Sequence, residues 1–425
     1  MPVTLNGPFR SSISHPRSLR FFISILEYVG ASRRPGRCFA IYTFLFYIII
    51  ILNSSWSVME QFKQGRVLVE VEGRHWVDAA TSSSCFGVLQ ALQIATLLIT
   101  MVSGRRKFAN MMARLLEVLQ EQKRIRQKLG KEQEGGNYPA RWVVGAMLFP
   151  LPVSVFIYFV AVIFDPPSMT VPYFVMFLRN CLVTVFSCCF LLMPLKFFLA
   201  CHLLGVCLDT YTAALKNMSD AANNQEEETQ RIKLMRQQEA QKLTPMMTQR
   251  EIQRKTQLEV QRMVQRLTSF QSRLSDCLTL LMAAMPSELL VTLLFGVVTM
   301  VTLCVLLVSS LLTSLPLQLQ AGLWAAGCLT TITVLVPCEA TQLLVQRLEK
   351  CRDLLMMLER QQMMMLERRQ PAIVRDIALM GEAAARDLEV VGDLGLLRLR
   401  RSTVLNIVST IITYVIVILQ FWMPE

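Results

Sequence analysis

Charge is what this chain has least of. Of its 425 residues only 17% are charged, where a soluble domain carries about 25%, and 53% are hydrophobic. The shortage is uneven and leaves long runs without charge, so the expected class is an integral membrane protein rather than a water-soluble enzyme. Histidine is nearly absent. His15, His75 and His202 are scattered, and no Cys/His group has metal-ligand spacing, so no catalytic residue, metal or cofactor is expected. A secretory signal is also lacking: the first 37 residues are polar and basic, with no short apolar core leading to a cleavage-like site. The twelve cysteines do not form an obvious disulfide framework. The Cys188-Cys189 pair falls inside an apolar run, and Cys85 is the one cysteine expected near an outer face.

What is present is a set of seven apolar runs, about 38–57, 84–103, 142–164, 172–195, 289–312, 317–341 and 403–423. Each approaches the roughly 20 residues that a helix needs to cross the hydrocarbon core. The third and fourth are joined by Asp165-Pro166-Pro167, the fifth and sixth by a turn at Ser314-Leu315-Pro316. All but four of the 43 Lys and Arg lie before the first run, after the second, between the fourth and fifth, or between the sixth and seventh. The exceptions are Lys63, Arg66, Arg74 and Arg179. The positive-inside rule then puts the N-terminus in the cytoplasm, and an odd number of spans puts the C-terminus outside. The fold class expected is all-α, a multi-pass plasma-membrane protein of seven transmembrane helices. Most cysteines then lie in spans or on the cytoplasmic side, where thiols stay reduced. The net charge of +12 needs no nucleic-acid partner, because orientation and anionic lipid account for basic cytoplasmic segments.

The segments divide accordingly. Residues 1–37 form a cytoplasmic stretch in which Leu19 to Val29 reads as an amphipathic pre-helix on the membrane. Residues 38–195 hold helices one to four. Residues 196–288 are a cytoplasmic extension, with Leu199, Leu203, Val206 and Leu215 at helical spacing. Within it, the Gln- and Glu-rich tract 219–250 has too little apolar surface to fold alone. Past Pro245, Val260, Met263/Val264, Leu267, Phe270, Leu274, Cys277 and Leu281 recur every three to four residues, which predicts an amphipathic helix. Helices five and six occupy 289–341. In 342–401, Leu344, Leu348, Cys351, Leu355 and Leu358 make one stripe and, after Pro371, Ile373, Ile377, Met380, Ala384 and Leu388 make a second. Such stripes read either as solvated helices with one face on the bilayer or, since apolar stripes need partners, as a subunit-contact domain.

Residues 402–425 are the cleanest span. At 100° per residue, Ser402, Asn406, Ser409, Thr413 and Gln420 fall within roughly 60° of one another on a mostly Ile, Val and Leu helix. A weakly polar stripe of this kind either joins helices by hydrogen bonds or lines a water-filled path. The span also contains Thr413-Tyr414, five apolar residues, then Gln420-Phe421, a few positions from the chain end and preceded by Arg400-Arg401-Ser402. This resembles the C-terminal TY…QF signature of the insect gustatory receptors, seven-helix ligand-gated cation channels. The pre-helix ending near Gly30 resembles the family too. The match covers the last 30 or so residues, the pre-helix and the overall plan. Leu396-Leu397 stands where relatives usually carry an aromatic.

The resemblance implies a homo- or heterotetramer opened by a small-molecule tastant. Cytoplasmic helix ends would form an anchor bundle, and the last helix, joined to it around Gly392 to Arg401, would line one shared pore. Oxygens of Ser402, Asn406, Ser409, Thr413 and Gln420 would then offer partly dehydrated ions weak ligands with no full charge to trap them. Glu425 and the terminal carboxylate would favour cations at the outer mouth. Gln420 and Phe421 map to the family's extracellular constriction, with Phe421 closing it by dewetting. Thr413 and Tyr414 would pack and hydrogen-bond. The ligand pocket would open outward among the first six helices, where Arg179, Tyr158, Tyr173 and Trp324 are candidates for ligand contact. Arg179 equally snorkels or meets a carbonyl, and the aromatics equally form an interfacial belt. Glu339, near the cytoplasmic end of span six, reads as structural or gating.

Three rival readings stand beside this one. An odorant receptor shares the fold but lacks the Thr-Tyr…Gln-Phe word. A metabotropic seven-helix receptor has the opposite orientation and carries a D/E-R-Y-type triplet and N-P-x-x-Y, neither of which occurs here. A secondary transporter would show internal repeats and midplane charges, and neither is evident.

Overall fold

The computed structural model describes residues 104–128, 193–220, 246–312, 317–366, 371–395 and 398–422, with scattered helical positions between 45 and 100. Every regular element among them is an α-helix: α1 Arg105–Lys128, α2 Met193–Asp220, α3 Met246–Ala284, α4 Pro286–Leu312, α5 Leu317–Leu366, α6 Pro371–Val390 and α7 Arg401–Trp422. The runs expected over 142–164, and most of 38–57, 84–103 and 172–195, lie outside the described residues. So do the pre-helix and positions 221–245 of the polar tract.

Proline sets several of these boundaries. Pro371 and Pro286 each open a helix, the position where a missing N–H and a fixed φ are compatible with helix initiation. Pro286 interrupts the α3–α4 rod only locally, since Met285 still donates to the Leu281 carbonyl at 3.3 Å and Leu289 to that of Met285 at 3.0 Å. Pro337 lies inside α5, where it removes an i→i−4 bond and loosens the helix locally.

Apolar periodicity builds the core. On α3, Val264, Leu267, Phe270, Leu274, Cys277 and Leu281 are buried, while Met263 turns outward. On α5 the five-residue stripe from Leu344 to Leu358 is buried throughout. On α6, Ile373, Ile377, Met380 and Ala384 are buried and Leu388 packs against them. The neighbours are α5 with α6 and α4, α3 with α6 and α1, and α7 with α4 and α5. The stripes thus find one another within a single chain, with an apolar share that drives helix packing as in any bundle.

Helix α2 runs through the middle of this bundle. The sequence predicts an apolar stripe along one side of it, but burial in its first half extends almost all round: Leu195, Phe197, Leu199, Ala200, Leu203, Leu204 and Leu208 are all buried, and Val206 is half-buried. It meets α1 through Gln122, whose side-chain amide donates to the Val206 carbonyl at 3.1 Å and the Thr210 hydroxyl at 2.7 Å. It meets α3 through Tyr211, whose hydroxyl donates to Gln271 at 2.8 Å. It meets α5 where Arg347 lies across Gly205 and reaches Asp209 at 3.4 Å. A Cβ on Gly205 would stand 1.8 Å from the Arg347 guanidinium, so any larger residue there would push that side chain aside.

Among the described residues, two helical segments are long and apolar enough to cross a membrane, Met193–Asp220 and Pro286–Cys304. Their burial separates them. The apolar window of the first is 67% buried, as in the centre of a bundle, and that of the second only 33%, which leaves most of its surface facing outward. The segment Arg401–Val417 is apolar but shorter.

Candidate functional site

The site is the last helix and the joint that feeds it. Helix α6 ends at Val390, and the chain turns through Gly392 and Gly395, with φ of 81° and 82°. Both lie in the left-handed region that glycine enters without a Cβ clash. The turn closes on itself: Leu399 N–H donates to the Gly392 carbonyl at 2.7 Å, and Gly395 N–H to the Asp393 carboxylate at 2.8 Å. Gly392 is also crowded. A Cβ there would meet the Thr341 methyl at 2.6 Å and the Leu399 carbonyl oxygen at 3.1 Å. The turn is therefore seated on α5, one helical turn beyond Pro337, and α7 starts at Arg401. This is the stretch where the sequence analysis expects the join.

Arg401 fastens the other side of the joint. Its Nε and one terminal nitrogen donate to the two carboxylate oxygens of Glu339 on α5, both at 2.9 Å. This is the two-pronged geometry that a guanidinium and a carboxylate share. Sequence reasoning noted both residues but did not pair them, because 62 positions separate them.

Beyond the joint, α7 shows two opposite faces. Thr403 and Ile411 are buried, and Val404 and Ile407 pack against the core. These four centre on one side of the helical wheel. Ser402, Asn406, Ser409, Thr413 and Gln420 are all exposed and centre on the other side, roughly 150° away at 100° per residue. Exposed Leu405, Ile412 and Ile416 flank the polar stripe. The stripe's hydroxyls are partly committed. Thr413 donates to the Ser409 carbonyl at 2.9 Å and neighbouring Thr410 to that of Asn406 at 2.8 Å. With the proton spent on the helix, each oxygen keeps acceptor lone pairs for the outside. Tyr414 is 58% exposed.

The remaining expected site residues are distributed as follows. Gln420 and Phe421 lie in the last turn of α7, and the Phe421 side chain is outside the described set. Trp324 lies on α5, its side chain likewise outside. Arg179, Tyr158, Tyr173 and Glu425 lie outside the described residues. A cavity of about 230 Å³ sits between α1 and α3, lined by Arg114, Glu117, Val118, Arg273, Asp276 and Cys277. Its charges are of both signs, and Arg273 reaches Glu121 at 3.0 Å.

Sequence reasoning missed a buried ion pair. Lys196 Nζ, near the start of α2, lies 2.7 Å from a carboxylate oxygen of Glu288 in the first turn of α4, and both side chains are almost fully buried. The ammonium also sits 4.7 Å from the centre of the Phe108 ring on α1, within cation–π range. Gly104 makes room for the pair: a Cβ there would be 1.5 Å from Glu288 Oε1. The available signal was one charge of each sign standing at the edges of two apolar runs.

The sequence matches no protein-family model, and comparison with curated proteins finds no match.

Proposed function

We propose that the chain is one subunit of a chemosensory, ligand-gated, non-selective cation channel of the gustatory receptor type. In this reading it is a multi-pass plasma-membrane protein of seven spans with a cytoplasmic N-terminus. Four like subunits, the same or different, place α7 around a common axis in the bilayer, and a small-molecule tastant opens the path.

One observation carries the reading: the polar stripe of α7 is set opposite the face that packs on its own chain. A stripe that joined α7 to its own bundle would face α4 and α5. This one faces away, flanked by aliphatic side chains suited to neighbouring copies of the same helix. The hydroxyl orientation of Thr413 and Thr410 supports cations over anions, since lone pairs rather than protons point outward. Gln420 lies on this line, one position from Phe421, the residue that would dewet the constriction.

The test is whole-cell recording from otherwise unresponsive cells expressing the chain, against a panel of sugars and bitter compounds. Gln420→Ala is expected to change unitary conductance or cation selectivity with unchanged surface level, read by a C-terminal tag on unpermeabilised cells. Unaltered currents in that variant refute the pore assignment, and a tag seen only after permeabilisation refutes the orientation.

A further inference from the structure

We infer that the Glu339–Arg401 pair is a positioning contact that sets the angle of α7 on α5 and so controls how often the pore opens, without lining the pore. The inference rests on the channel reading above and names its regulation.

Four observations meet at this place. Arg401 is the first residue of α7 and grips Glu339 through two bonds of equal length, which fixes an orientation as well as a distance. Glu339 follows Pro337 by two residues, where α5 lacks a rung of its hydrogen-bond ladder. The Thr341 hydroxyl donates to the Pro337 carbonyl at 2.9 Å, while its methyl occupies the space a Gly392 side chain would need. Gly392 N–H in turn approaches the Met282 sulfur at 3.5 Å, close to the α3–α4 break at Pro286. The base of α7 is therefore held between the two proline-interrupted rods of the bundle, the places where these rods bend most readily. A change of bend in α5 moves Glu339, and the guanidinium fork passes that movement to α7. The contact is exposed at 59% for Arg401 and 43% for Glu339, so breaking it removes no core packing. That separates positioning from folding.

The test uses purified full-length protein in planar bilayers, with unitary conductance and spontaneous open probability read in symmetric potassium chloride. Glu339→Gln and Arg401→Gln are each expected to shift open probability by about threefold, with unitary conductance unchanged. The double variant shifts it no further, because both changes break one contact. Arg401→Lys, which keeps the charge but not the fork, falls between. The charge exchange Glu339→Arg with Arg401→Glu restores the original value. Additive single effects, failure of the exchange at normal surface level, or a change of conductance in step with open probability each overturn the inference and leave the channel reading standing. Absence of any unitary current in the unmodified protein, with the panel of sugars and bitter compounds added as well as without it, overturns both.

Discussion

The residue with the most constrained surroundings is Glu288. One of its oxygens binds Lys196; the other is packed where a Gly104 side chain would be and has no hydrogen-bond partner among the described residues. A charge removed from water is costly unless paired, and the pair here is held only by geometry that three helices supply. Removing one partner leaves the other charge buried. Lys196→Ala is therefore expected to destabilise the protein by about 3–5 kcal/mol, seen as early loss of the monodisperse peak when detergent-solubilised protein is heated before size exclusion. Lys196→Met with Glu288→Gln should recover most of that loss, since an apolar and a neutral group replace both charges. If the single and double variants melt alike, the pair is not what matters at this junction. None of this could be read from the sequence. A lysine and a glutamate at the ends of apolar runs look like ordinary membrane-edge charges, and only the fold brings residues 196 and 288 within 2.7 Å.

At the scale of elements the sequence was more informative, because burial follows period. The stripes on α3, α5 and α6 were legible as positions three and four apart, and the two glycines after α6 were legible as a stop. What periodicity lacks is a partner list. It did not say that α3 and α6 share a polar seam, in which Gln271 donates to the Met380 carbonyl at 2.6 Å and Ser275 to the Asp387 carboxylate at 2.6 Å. Burial raises the Asp387 pKa above its ordinary 3.8, against the hydrogen bond from Ser275 and the nearby Arg386, and with Asp276 adding to the rise. The same seam holds Cys351, whose thiol burial pushes up to about 12 with a further rise from Asp387. The folded chain thus takes up a proton at Asp387 more readily than the unfolded chain. Its contribution is fully present below the unfolded value near 4 and is lost as pH rises through the raised folded value. Asp387→Asn keeps the oxygen that accepts from Ser275 and removes the buried charge. It should melt higher than the parent at pH 7 and show a smaller gain on acidification toward pH 5. An unchanged pH profile means that Asp387 is charged in both states at no cost.

For the whole molecule the question is what covers the outward face of α7. Composition made long apolar helices legible, and the wheel made a stripe legible, but a single chain's sequence is silent on which way the helix is turned. The packing of Thr403, Val404, Ile407 and Ile411 against α4 and α5 supplies that direction. On the channel reading, two surroundings are open to Ser409 and its neighbours, lipid tails or further copies of α7. The alternatives differ in reach. Around a shared axis, equivalent stripe residues approach one another closely enough for a disulfide, whose Cα atoms must lie within about 7 Å; facing lipid, they do not. Ser409→Cys is therefore expected to give a covalent dimer on mild oxidation in native membranes, visible on non-reducing gels and reversed by reductant. Ile411→Cys, two positions on but turned into its own bundle, should give none above the background of the parent's twelve cysteines. Dimer from both variants would indicate random collision. Dimer from neither would overturn the shared-axis arrangement and leave the stripe facing lipid, with, among the described residues, only the Thr413 hydroxyl of the stripe bonded within its own helix.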